Sequence, residues 1–300
     1  MNGTKAASKP ITAEKYIFTD MATEKLRDKT ENVNASEEVK HGFPVHRLNV
    51  LSTVDGIADK GTYFTVTVGK PWLDTDQKLE DAAVTVSEIL TELSRGSVSQ
   101  RKAVLTVCLG NKNITADSIG PLCAEGLITT RHLKTEQPHI WKALGETEIS
   151  ALTPGVSGMT GIETCELVEA AVKAVSPDLV IAVDAISARS TERLGTSIQI
   201  SDTGISPGSG VGNHRTALNR ETLGVPVISV GVPTVAHAVT LLRDAAESSG
   251  AKETTEELNA FLEAGREFFI TPKDIDAAVK THADIIARAV NLAFSGFSRL

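Results

Sequence analysis

Residues 177–190 read "PDLVIAVDAISARS" and hold an unbroken apolar run that closes on Asp184. A strand apolar on both sides needs cover on both sides, so it belongs to a sheet sandwiched between helices. The neighbouring sequence fits: "KAVLTVCLG", "TSIQIS" and "VPVISVGV" read as further strands, with helices expected at 117–132, 163–175 and 234–248. Ahead of them, "PVHRLNVLS" and "GTYFTVTVG" are β-rich, and "TDQKLEDAAVTVSEILTELSRG" sets Leu79, Ala82, Val86, Leu90 and Leu93 on one helical face before Gly96. Thr271 is read as a cap and Pro272 as first-turn proline of a long amphipathic helix that ends near Phe294. The expectation is an α/β fold, a layered α/β/α single domain on a mixed, largely parallel sheet.

Residues 1–41 are polar and are read as a mobile arm with one sticky segment, "YIFTDMATEKL". The first fifteen residues hold no apolar run of the kind a secretory signal requires, and no run approaches bilayer length, so a cytoplasmic protein without membrane contact is expected. With 300 residues and 41% hydrophobic content a large core is available. A formal charge of −8 argues against a broad nucleic-acid face. Cys108, Cys123 and Cys165, widely spaced, are expected as reduced, packed thiols.

Residues 201–215, "SDTGISPGSGVGNHR", suggest two chemistries and satisfy neither. A dinucleotide fingerprint needs a third glycine where Asn213 stands, and the Gly-Lys-Ser/Thr of a Walker loop is absent. "DTG" matches the catalytic tripeptide of pepsin-like proteases, but that chemistry sits between all-β lobes, so Asp202 is expected to fix a turn. "GVSGM" is not a nucleophile elbow, and no zinc motif is present, so neither metal nor cofactor is expected.

Two other aspartates stand where open α/β sheets gather function, beyond the carboxyl ends of strands. Asp184 closes its apolar run, and Asp117 follows the strand "AVLTVCLG" across a turn. Local sequence also allows Asp117 as a helix cap and Asp184 as the partner of Arg189. If the strands are neighbours, the two carboxylates share a pocket, one holds a proton, and the pair can activate water and protonate a leaving amine.

"LGNKNITADSIGPL", "ALTPGVSGMTGIET", "PDLVIAVDAISARS", "TSIQISDTGISPGSGVGN", "ETLGVPVISVGVPTV" and "FFITPKDIDAAV" together resemble the germination protease family of spore-forming bacteria. The resemblance implies an atypical aspartic endopeptidase akin in fold to hydrogenase-maturation peptidases. It would be a homotetramer in the spore core that degrades small acid-soluble spore proteins. It implies Asp117 and Asp184 as the essential pair. It also implies a zymogen that removes its own N-terminal segment, here by cleavage between Asp20 and Met21 of Asp20-Met21-Ala22-Thr23-Glu24. That makes 1–20 a propeptide and 21–300 the peptidase domain, shortened relative to the family at about 248–268.

Asn111, Asn113, Asp202 and the backbone of Gly204, Gly208, Gly210 and Gly212 are candidates to bind substrate or polarise its carbonyl. One alternative is a metal-dependent peptidase with His214 or His237 as a third ligand. The other is a non-catalytic protein binding a nucleotide or peptide at the glycine loop.

Overall fold

The apolar run forms the strand Leu179–Ser187, in the middle of the parallel part of the main sheet. The computed structural model describes residues 9–10, 19–26, 32–54, 58–95, 97, 103–208, 215–249, 253–254 and 268–295. In chain order the strands are β1 (Lys9–Pro10), β2 (Val33–Lys40), β3 (Phe43–Val50), β4 (Gly61–Thr67), β5 (Ala103–Cys108), β6 (Glu148–Leu152), β7 (Leu179–Ser187), β8 (Ser197–Ser201), β9 (Val227–His237), β10 (Glu253–Thr254) and β11 (Phe269–Ile270). The helices are α1 (Ala22–Lys25), α2 (Asp76–Leu93), α3 (Ile119–Gly126), α4 (Leu133–Glu136), α5 (Pro138–Ala143), α6 (Ser157–Thr160), α7 (Thr164–Val175), α8 (Arg220–Leu223), α9 (Ala238–Ser248) and α10 (Ile275–Phe294).

The main sheet runs β2-β3-β4-β8-β9-β7-β5-β6, with β11 paired to the end of β9. β7 is parallel to β5 and β9, and β5 to β6, while β8, β4, β3 and β2 continue the sheet antiparallel. One face carries Phe64, Val104, Ile181 and Val230 against α2, α3 and α10. Leu105, Val180 and Ala182 on the other face meet Cys165, Val168 and Val172 of α7 and Leu223 of α8. Helices on both faces of a mixed sheet make this the layered α/β fold that the apolar strand demanded. In α2, Ala82, Val86 and Leu90 are buried and Thr75 accepts a capping bond from Lys78 N. The three cysteines are free and buried.

Several boundaries differ from the sequence expectation. Residues 33–40 are not part of a loose arm: they form β2, an edge strand whose side chains are mostly exposed. Main-chain pairing to β3 holds it, through a two-residue turn at His41 and Gly42 with φ of 48° and 86°. With neither face buried, it carries no alternating apolar signature. The helix expected at 117–132 ends at Gly126, where Asn291 of α10 intervenes. Its Nδ2 donates to Gly126 O at 2.9 Å and its Oδ1 accepts from Ile128 N at 2.9 Å. The helix expected from Thr234 begins only at Ala238, because β9 runs on to His237, paired with β7 and then β11. Thr271 does not cap α10; its hydroxyl donates to Thr234 O at 2.9 Å, and Asp274 takes the cap position. Gly96 and most of 248–268 lie outside the described residues.

Candidate active site

Asp184 is not at the end of its strand: it lies inside β7, opposite Gly231 of β9, and β7 continues to Ser187. On the other side β5 has already stopped at Cys108, so a crevice opens where one neighbour ends and the other continues. Asp184 is 5% exposed, and its Oδ1 accepts from Ala185 N at 2.9 Å.

Asp117 reaches the crevice through the turn after β5. Gly110 takes φ 112°, and a Cβ there would meet Asp117 O at 2.1 Å, so a side chain at this position would break the turn. Asn111 N donates to Asp117 O at 3.0 Å and to its Oδ2 at 2.8 Å. Thr234 Oγ1 donates to Ala116 O at 2.7 Å and ties the turn to β9. Asp117 closes the short 3-10 turn Thr115–Asp117, and α3 begins at Ile119, so the carboxylate does not cap that helix.

The two carboxylates line one cavity of about 380 Å³, together with Asp20, Gly208, Arg215 and Thr234. A larger hollow of about 620 Å³ lies over β2 and β3 and contains neither Asp117 nor Asp184. Burial pushes the Asp184 carboxyl well above the usual carboxylate range, the charges of Asp117 and then Asp20 push it the same way, and the Ala185 amide and Arg215 oppose. Burial also raises Asp117, against the Asn111 amide and Arg215. Among the described residues, Arg215 is the cation that lines the cavity and opposes this shift, and Arg189 donates its backbone N to Glu24. Both carboxyls are thus biased toward holding a proton, Asp184 the more strongly.

The other expected site residues divide. Gly208 lines the cavity. Gly210, Gly212 and His214 lie outside the described residues. Asn111 contributes its backbone amide, while its side chain accepts from Asn113 N at 3.0 Å; neither Asn side chain lines the cavity. Asp202 does not line this cavity; it accepts from Thr62 N at 2.7 Å and fixes the entry to β4. Gly204 is needed by its own chain, because at φ 81° a Cβ would meet Leu218 O at 2.2 Å. His237 meets Phe269 in a tilted ring contact, centroids 4.5 Å apart at 58°, and does not line the cavity. Among the described residues no group of three His, Cys, Asp or Glu side chains is placed to hold a metal ion.

The expected cleavage segment is docked beside this cavity. Asp20 N donates to Ser187 O and Ser187 N to Asp20 Oδ2, each at 2.9 Å. Met21 is fully buried among Ile186, Ala188, Leu194 and Ala236. Glu24 accepts from Arg189 N at 2.6 Å and Ser190 N at 2.9 Å, with Arg193 Nε at 3.5 Å. Ala22 and Leu26 cover Leu48, Val50 and Tyr63, so part of the supposed arm supplies a layer of core. Residues 1–8 and 11–18 lie outside the described residues. Sequence reasoning missed Arg215 and Thr234, which only the fold brings to this cavity. No helix among the described residues is long and apolar enough to cross a membrane.

A family model described as germination protease matches residues 11–257. A germination protease of Caldanaerobacter subterraneus subsp. tengcongensis is 38% identical, with 92% of this chain and 94% of that protein covered. One of Bacillus mycoides is 34% identical, with 95% of each covered. Among solved structures, a NiFe hydrogenase maturation protease from Thermococcus kodakarensis matches with a TM-score of 0.36 and 19% identity, over 68% of this chain and 99% of that one.

Proposed function

The chain belongs to the germination protease family and is a protease, and from that premise we propose that it is an aspartic-type endopeptidase that degrades small acid-soluble spore proteins in the spore core. It is made as a zymogen that cuts itself between Asp20 and Met21, and it works as a homotetramer. The observation that carries the chemistry is the convergence of Asp117 and Asp184 on one cavity with both carboxyls raised.

In this reading Asp184, the more deeply buried, holds the proton, and Asp117 stays ionised under the Asn111 amide and Arg215. Asp117 accepts a proton from a water between the carboxyls as the water oxygen adds to the scissile carbonyl. Asp184 gives its proton to the departing amine as the C–N bond breaks. The proton on Asp117 then returns the pair to its starting state. What supports self-processing is the seat of residues 19–24: Asp20 lines the dyad cavity and Met21 fills an apolar pocket beside it. Backbone bonds pair Asp20 with the end of β7, and the first turn of α1 carries Ala22 and Glu24 onto their contacts.

The test is digestion of a small acid-soluble spore protein by wild type, Asp117→Asn and Asp184→Asn, each with and without a strong chelator. Cleavage by wild type in chelator and by neither variant supports the reading; loss of wild-type cleavage in chelator replaces the dyad with a metal centre.

A further inference from the structure

Gln199 stands on β8, 8% exposed, between the core residues Ile198 and Ile200. A buried primary amide must find partners at both ends. Here both come from one tripeptide: Oε1 accepts from Ala22 N at 2.7 Å, and Nε2 donates to Asp20 O at 3.2 Å. These groups lie on either side of Met21, so a single side chain spans the Asp20–Met21 bond. Asp20 N and Oδ2 are bonded to the backbone of Ser187.

We propose that Gln199 is the residue that sets the register of the cut and polarises the carbonyl under attack. The proposal rests on the reading that the Asp20–Met21 bond is cleaved. Two properties of the geometry carry it. First, both contacts are to main chain, so the clamp reads backbone position and applies to any substrate segment that takes this seat, while the Met21 pocket and the Glu24 anchor read side chains. Second, a carbonyl oxygen gains negative charge as water adds to it, and a donor already aimed at it binds that charge more strongly than the ground state. The 3.2 Å contact has room to shorten toward the usual 2.9 Å or so for such bonds.

The experiment follows self-cleavage of the full chain, with release of residues 1–20 timed by mass spectrometry. Gln199→Glu keeps an acceptor for Ala22 N and loses the donor to Asp20 O; Gln199→Met loses both. Ala22→Pro removes the donor at Ala22, at the first position of α1, where proline is tolerated, and its added ring carbons at a buried site are controlled for by the melting temperature. Gln199→Glu is expected to slow the cut on the order of 100-fold, and Gln199→Met at least as much, with minor cuts at adjacent bonds. Ala22→Pro slows the chain with Gln199 but changes Gln199→Met by less than about twofold, as expected when both changes remove one contact. Melting temperatures separate slow chemistry from poor folding, and the coupling is read only between folded variants.

Wild type that cuts, Asp184→Asn that does not, and both Gln199 variants within about twofold of wild type overturn this proposal and leave the dyad standing. Equal slowing by Ala22→Pro in both backgrounds overturns it too. A wild-type chain that never releases residues 1–20 overturns it together with the self-processing reading.

Discussion

Asp184 sits in β7 with its carboxyl raised by burial and then by the charge of Asp117, which reaches the same cavity from the turn after β5. The sheet makes this meeting, because β5 ends at Cys108 while β7 continues. Such a site is held against the preference of its own groups, and stability should record it.

Asp184→Asn is expected to raise the melting temperature at pH 7 while abolishing cleavage. The folded carboxyl binds its proton more tightly than the unfolded one. Its contribution is therefore fully present below the unfolded pKa and is lost as pH rises through the folded value. Asparagine removes that loss and still accepts from Ala185 N, so the gain over wild type, about 1 kcal/mol, grows from acid to neutral pH in a thermal melt series.

Cleavage should follow a bell-shaped pH profile, with a rising limb as Asp117 ionises and a falling limb as Asp184 loses its proton. Arg215 lowers the proton affinity of both. Arg215→Gln should therefore move both limbs to higher pH in kcat/KM profiles. A profile that only drops in height would assign Arg215 to binding alone.

Glu24→Ala is expected to slow self-cleavage by about tenfold or more, since a charged acceptor of two backbone amides is lost. Timed mass spectrometry of the released segment measures it. A rate within about twofold of wild type would show that Met21 and Gln199 hold the segment without this anchor.

His282 of α10 is fully buried; its Nδ1 lies 2.8 Å from Ala278 O, and burial lowers its pKa to about 4. The unfolded chain takes up this proton first, so stability is full above the unfolded value near 6.5 and falls as pH drops toward about 4. The loss is roughly 3 kcal/mol over that window. Urea melts of wild type and His282→Gln between pH 7 and 4 should converge as pH falls; parallel curves would place the acid sensitivity elsewhere.

Asp202→Asn should cleave within about twofold of wild type, because asparagine still accepts from Thr62 N. Gly204→Ala, by contrast, should destabilise by about 1–3 kcal/mol, since the added Cβ meets Leu218 O. Denaturant melts and a cleavage assay on the two proteins separate these roles.

What the sequence made legible followed from burial pattern. Leu179–Val183 is apolar at every position, which demands two covered faces and identifies the sheet class and the unusual acid at Asp184 together. The edge strand β2 was not legible, because its exposed side chains carry no period. Nor were the ends of α3 and β9, which Asn291 and the pairing with β11 decide from far along the chain. Gln199 and Arg215 read as ordinary strand and loop residues until the fold sets them beside Asp20 and Asp184. Of the described glycines in the 201–215 loop, Gly208 lines the dyad cavity and Gly204 lines the adjoining hollow beside Asp20, Ala22 and Gln199.

The central claim is that Asp117 and Asp184 together break the bond after Asp20. It is tested most directly by incubating the full chain and identifying its new N-terminus, in wild type, Asp117→Asn and Asp184→Asn. The account predicts Met21 as the new N-terminus of wild type, with both variants folded and slowed at least about a hundredfold. A different N-terminus, or either variant cutting at the wild-type rate, would contradict it.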